Sequence, residues 1–121
     1  MSSNDTGSQA ENLALQHLTQ QGLELVERNY HCRGGEIDLI MLDKATLVFV
    51  EVRYRKSTSF GSALESVNHA KQKRIIHTAQ HFLQRQTSNY SQSCYRFDVV
   101  AISPEEHTPE INWLKDAFQL N

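Results

Sequence analysis

The sequence predicts an α/β fold, a mixed central β-sheet flanked by α-helices. Three observations carry this. Ala14, Leu15 and Leu18, and later Ile75, Ile76, Ala79, Phe82 and Leu83, recur at helical spacing. Residues 35–53 read as two apolar segments that alternate sides around a short polar break, the pattern of a hairpin. The order helix, strand, hairpin, helix, strand, strand interleaves the two kinds of element, as a sheet covered by helices requires.

The first helix is expected over about Ser8–Gln21, with Gly22 as its stop. Glu11 precedes Ala14, Leu15 and Leu18 by three, four and seven residues, so it shares their face. It fits either a boundary residue favoured by the helix dipole or an acid aimed at a site. Leu23–Arg33 reads as a strand of mixed polarity, and Gly34-Gly35 turns the chain.

In the hairpin, Glu36, Asp38, Ile40 and Leu42 share one face of the first strand, and Ile37, Leu39 and Met41 the other. In the second strand Leu47, Phe49, Glu51 and Arg53 share a face, opposite Val48, Val50 and Val52. With Asp43–Thr46 as the loop, Leu42 faces Leu47 and Ile40 faces Phe49. Continued, the register sets Ile37 against Val52, Asp38 against Glu51 and Glu36 against Arg53. Two facing carboxylates have Cβ atoms roughly 4.5–5.5 Å apart and repel unless one is protonated or a cation intervenes. A hard divalent ion, Mg²⁺ or Mn²⁺, held by Asp38 and Glu51 answers that need. Neutralisation by Arg53 without a metal answers it too.

Ser57–Ser62 is a Ser/Thr/Gly-rich loop containing Phe60. A second helix follows over about His69–Gln86, with Asn68 as N-cap. Lys71, Lys73 and Arg74 fall in its first two turns, where cations oppose the helix dipole but suit a phosphate. After a polar loop, Thr87–Ser93, Tyr95–Ile102 reads as a buried strand. Pro104–Pro109 reads as a turn and Ile111–Lys115 as a last short strand, with Phe118 packing behind it.

The 121 residues suit a single domain, 1–121, with the first seven expected to be flexible. A hydrophobic fraction of 39% and a charged fraction of 21% exclude a disordered chain. No apolar run is long enough to cross a bilayer, and the polar N-terminus does not resemble a secretory signal. Cys32 and Cys94 form no ligand motif and are expected as free thiols in the cytoplasm. The net charge is only −2, yet Arg53, Arg55, Lys56, Lys71, Lys73 and Arg74 face one acid, Glu65, within 22 residues. Such a cluster attracts phosphate backbones; alone it also fits a solvated helix face.

Other motifs carry less. His77 and His81 have metal-ligand spacing without the glutamate of His-Glu-x-x-His, and are expected as surface histidines. His31 and Cys32 are adjacent in a strand and point to opposite faces, so they form no catalytic pair. The chain contains no phosphate-binding glycine loop and no nucleophile elbow.

Taken in order, Glu11, Gly35-Glu36-Ile37-Asp38-Leu39-Ile40, Val48-Phe49-Val50-Glu51-Val52-Arg53-Tyr54-Arg55, Lys71-Gln72-Lys73-Arg74 and Arg96-Phe97-Asp98-Val99-Val100 resemble the YraN family of endonuclease-like bacterial proteins. That family is similar to the PD-(D/E)xK, or restriction-endonuclease-like, superfamily and, in outline, to archaeal Holliday-junction resolvases. The resemblance implies a restriction-endonuclease-like sheet and metal-assisted phosphodiester hydrolysis. It implies Glu11, Asp38, Glu51 and Arg53 as catalytic residues and Asp38 and Glu51 as ligands of Mg²⁺ or Mn²⁺. Arg55, Lys56, Lys71, Gln72, Lys73 and Arg74 would meet nucleic acid. Arg53 stands where the superfamily has a lysine, and arginine is too strong a base to give up its proton. Lys71 is a candidate to replace that lysine. The expected partner is nucleic acid, DNA in particular and branched DNA among its forms, with no membrane; the oligomeric state stays open, a homodimer included. Two alternatives stand beside the nuclease: a nuclease-fold module that binds DNA without cutting it, and a protein-interaction scaffold.

Overall fold

The computed structural model describes residues 3–55, 64–85, 94–103 and 109–119. Lys56, Phe60 and the rest of the Ser57–Ser62 loop, Gln86, the Thr87–Ser93 loop and most of the Pro104–Pro109 turn lie outside them. The elements follow the expected order: α1 (Ser3–Gln20), β1 (Glu24–Cys32), β2 (Gly35–Asp43), β3 (Thr46–Tyr54), α2 (His69–Arg85), β4 (Cys94–Ser103) and β5 (Glu110–Phe118). The strands form one sheet in the order β1-β2-β3-β4-β5. Neighbours are antiparallel except β3 and β4, which run parallel with α2 between them in the chain. The sheet is therefore mixed, as the α/β reading requires.

Among the described residues each face of the sheet carries a long helix and a core of its own. Ala10, Ala14 and Leu18 of α1 pack on Leu39, Met41, Val48, Val50, Val100 and Ile102. Ile75, Ala79 and Phe82 of α2 pack on Ile40, Leu47, Phe49, Phe97, Val99 and Ala101. The alternation of these strand residues between the two cores is the period-two pattern made physical. Phe97 stacks on Phe49 and on Phe118, with centroids 5.5 and 5.1 Å apart, tying β5 to the sheet centre.

Helix ends have local causes. At the C-terminus of α1 the amide of Leu23 donates to Leu18 O (3.1 Å) and that of Gly22 to Thr19 O (3.0 Å). This paired closure needs the left-handed φ of +99° at Gly22. At the start of α2 the Lys71 amide donates to Asn68 Oδ1 at 2.9 Å, so Asn68 is the N-cap. Helix α1 starts at Ser3, earlier than Ser8, and takes in residues the sequence reading left outside it. Strand β5 runs to Phe118, past Lys115, through an irregularity at Asp116 with φ +53°.

The hairpin departs from expectation in an informative way. The pairs Leu42↔Leu47, Met41↔Val48, Ile40↔Phe49 and Leu39↔Val50 form as read. The ladder then ends, so Ile37↔Val52, Asp38↔Glu51 and Glu36↔Arg53 do not pair. Ile37 joins Ile40 in the α2-side core, against the strict alternation expected of it. Opposite this point on β1, Asn29 has φ +51°, and the β1–β2 ladder passes from Arg28↔Leu39 to Tyr30↔Ile37. Strand β2 thus turns about its axis at Asp38 and leaves β3. The four-residue loop also shrinks: Asp43 pairs with Thr46, and Lys44-Ala45 make the turn.

Candidate active site

Where β2 and β3 part, Asp38 enters the gap. Its Oδ2 accepts the Val52 amide at 2.8 Å, replacing a main-chain acceptor. Burial pushes the Asp38 carboxyl up to about 8; the charge of Glu51, a hydrogen bond with Glu51 and the charge of Glu11 push the same way, against the Val52 bond. The two acids therefore meet even though their backbones do not pair. Glu51 is held from the other side: its carboxylate is 6% exposed, with Lys71 Nζ 2.8 Å and Arg53 Nη1 3.5 Å from Oε2. Arg53 Nε also donates to Ser66 Oγ at 3.3 Å.

Gly35, Glu36, Asp38, Glu51, Lys71, Arg74 and Ile75 line a cleft of about 180 Å³. The acids come from the two diverging strands and the cations from the first turns of α2. The close seating of α2 depends on Gly35. A Cβ there would collide with Thr78 Oγ1 and lie 3.0 Å from the Arg74 carbonyl oxygen.

The other candidate residues divide. Glu11 does not line the cleft; it approaches from the α1 side and pairs with Arg28 at 3.6 Å. Glu36 does not pair with Arg53 but with His31, at 3.0 Å. Gln72 donates to Val67 O at 2.9 Å, which closes the turn before α2. Lys73 faces away from the acids, in a groove with His69, Ile76, His77 and Gln119. Arg55 follows β3, its amide bonded to Ile102 O and its side chain half-buried with an unpaired Nε. His81 is not a free surface histidine, because Tyr30 Oη lies 2.6 Å from its Nδ1. Both cysteines are free thiols.

A further buried acid stands outside the residues the sequence singled out for the site. Asp98 on β4 is fully buried and accepts from Arg96 Nε (3.0 and 3.2 Å), Trp113 Nε1 (2.9 Å) and the Asp116 amide (2.9 Å). Like Asp38 it takes an amide where a strand ladder is irregular. Unlike Asp38 it is fully met by donors, and Arg96 continues to Asp43 at 3.1 Å. The spacing of Arg96 and Asp98, two apart on one strand face, was the available signal.

Among the described residues no group of three His, Cys, Asp or Glu side chains is placed to hold a metal. The Asp38–Glu51 pair nevertheless fits a hard divalent ion. Both are carboxylates, they meet at a cleft, and each disfavours charge on the other, a repulsion that a divalent ion between them would relieve. Such ions often take one or two protein carboxylates and complete their shell from water and phosphate.

Among the described residues no helix is long and apolar enough to cross a membrane. A family model described as "Uncharacterised protein family UPF0102" matches residues 10–102. The chain is 55% identical over 118 residues to a UPF0102 protein of Saccharophagus degradans, covering 98% of this chain and 96% of that one. It is 53% identical over 116 residues to one from Nitrosococcus oceani (96% and 93% covered) and 52% over 117 residues to one from Stutzerimonas stutzeri (97% of each). With matches of this extent, the chain belongs to the UPF0102 family, in keeping with its resemblance to YraN proteins.

Proposed function

We propose that this protein is a metal-dependent endonuclease that hydrolyses phosphodiester bonds of DNA, branched DNA included. One observation carries the reading: two acids from parting strands, Asp38 and Glu51, meet at a cleft whose other wall is the cationic start of α2. Asp38 and Glu51 would hold Mg²⁺ or Mn²⁺. When bound, such an ion supplies Lewis acidity toward a phosphate oxygen and acidifies a water.

The protein's own residues supply the rest. The Val52 amide fixes Asp38, so the first ligand is positioned by backbone rather than by a free rotamer. Lys71 and Arg74 give the cleft a positive wall that favours phosphate over neutral substrates. Arg53 is no general base; held by Ser66 and Glu51, it acts as a fixed charge near the transition state. Glu11 adds negative field at Asp38 from the α1 side and is a positioning residue here.

Incubating the full chain with duplex, single-stranded and branched DNA in Mg²⁺ or Mn²⁺ tests this. Metal-dependent cutting that disappears in Glu51→Ala is expected; cutting that survives the substitution is a contaminant's.

The clamp on Arg53 favours a second reading, a DNA-binding module without turnover. In that case Arg53 and Lys71 neutralise Glu51 permanently. Salt-sensitive binding without cleavage on any substrate would select it. Indifference to all nucleic acids would leave a protein-interaction scaffold.

A further inference from the structure

We propose that Lys71 is a built-in counter-ion that competes with the divalent cation for Glu51, and that a DNA phosphate frees it. This rests on the nuclease reading of the same site. Glu51 is almost fully buried, so its charge must be met by protein or by an ion rather than by bulk water. Lys71 meets it at 2.8 Å. A divalent ion on the same carboxylate would sit within a few ångströms of that ammonium, and like charges that close, beside a buried carboxylate, repel one another.

The two cations on Glu51 are not equally fixed. Arg53 is anchored by Ser66, whereas the Lys71 side chain is one-third exposed and stands in the first turn of α2. A four-carbon stem can swing its charge off Glu51 and along the cleft wall without moving the backbone. There it would stand beside Arg74, on the wall a phosphate would face. A bound phosphate gives the displaced ammonium a partner, and the metal takes the place it vacates. Metal and DNA then favour one another's binding, and by linkage the coupling is reciprocal.

The test is Mn²⁺ titration of the full chain, read by electron paramagnetic resonance of free Mn²⁺. It is run with and without a phosphorothioate duplex that resists cleavage. Lys71→Gln is expected to bind Mn²⁺ about tenfold tighter than the wild type without DNA, and Lys71→Arg to bind as weakly as the wild type. The duplex should tighten Mn²⁺ binding about tenfold in the wild type and less than about twofold in Lys71→Gln. A Lys71→Gln protein that is folded by circular dichroism and binds Mn²⁺ no tighter overturns the competition. Equal tightening by DNA in both proteins overturns the coupling. Glu51→Gln separates the causes. If Mn²⁺ binding survives it, the metal site and the nuclease reading fall together. If binding is lost there but unchanged in Lys71→Gln, only the role of Lys71 falls.

Discussion

Asp38 accepts the Val52 amide at the point where the β2–β3 ladder stops. One carboxyl group thus substitutes for a missing main-chain acceptor, stands where the strands part and brings an ionisable acid to the cleft. Asparagine can keep the bond and discard the charge; alanine can do neither. Asp38→Asn should raise stability above pH 8 in chelator and abolish metal-dependent cutting. Asp38→Ala should lose about 1–3 kcal/mol because the amide is left without its acceptor. Urea denaturation of both variants in EDTA checks the contrast.

The raised Asp38 carboxyl makes stability depend on pH. Between about 4 and about 8 the folded protein holds a proton that the unfolded chain has released. Its contribution to stability therefore falls as pH rises through that window and levels off above it. The slope is at most about 1.4 kcal/mol per pH unit. The charges around the group are Glu51 from β3, Glu11 from α1 with its partner Arg28 from β1, and Lys71 and Arg74 from α2. Saturating Mg²⁺ should flatten the slope, since the ion replaces the proton. Urea midpoints from pH 5 to 8 with EDTA or Mg²⁺ give the two slopes, and Asp38→Asn supplies the background from the histidines. Equal slopes with and without the ion would remove Asp38 from the ligand set.

The encounter of Asp38 and Glu51 was legible in the sequence, but by a route the structure does not take. Alternation from Leu42 and Leu47 set the register correctly for the apolar pairs, because each mismatch there would bury a charge or expose a core residue. It failed at Asp38 because a buried acid can capture an amide and end the ladder, which hydrophobic periodicity does not report. Helical spacing makes Lys71 legible as a cation facing phosphate at the helix start, and the resemblance makes it a candidate for the superfamily lysine, but neither pairs it with Glu51. Its contact with Glu51 depends on how closely α2 approaches β2, and that distance is set by Gly35. Glu11 was placed on the correct face, but its partner Arg28 lies on another element, beyond any local pattern.

Gly35 carries its own prediction. A methyl group there meets Thr78 Oγ1 and the Arg74 carbonyl, and neither can retreat freely because Thr78 Oγ1 donates to that carbonyl at 2.8 Å. Gly35→Ala should therefore cost about 1–3 kcal/mol as an overpacked contact. It should also lift the start of α2 from the cleft. Glycine-to-alanine at the exposed Gly7, which lies within α1 and has open space, is the contrast and should raise stability by about 0.5–1 kcal/mol through helix propensity. Thermal melts of the two variants distinguish a local clash from a general helix effect.

Asp98 should matter for stability and not for chemistry. Removing its carboxylate leaves Arg96, Trp113 Nε1 and the Asp116 amide without their acceptor. Breaking a buried charge pair from one side costs about 3–5 kcal/mol. Asp98→Ala is thus expected to unfold at far lower urea. Trp113 is the only tryptophan, so its fluorescence reports this corner directly. A variant with wild-type stability would show that the network is dispensable.

The two neighbours Lys73 and Arg74 separate site-directed from diffuse electrostatics. Arg74 lines the acidic cleft, while Lys73 opens on a different groove of α2. If DNA binds through the cleft, each phosphate contact adds about 0.9 to the slope of log affinity against log salt. Arg74→Ala should weaken binding at every sequence and reduce that slope by about 1. Lys73→Ala removes the same charge from the same helix but should leave the slope almost unchanged. Fluorescence anisotropy across salt concentrations measures both. Equal losses would mean that DNA senses the general field of α2 rather than the cleft, and would detach binding from Asp38 and Glu51.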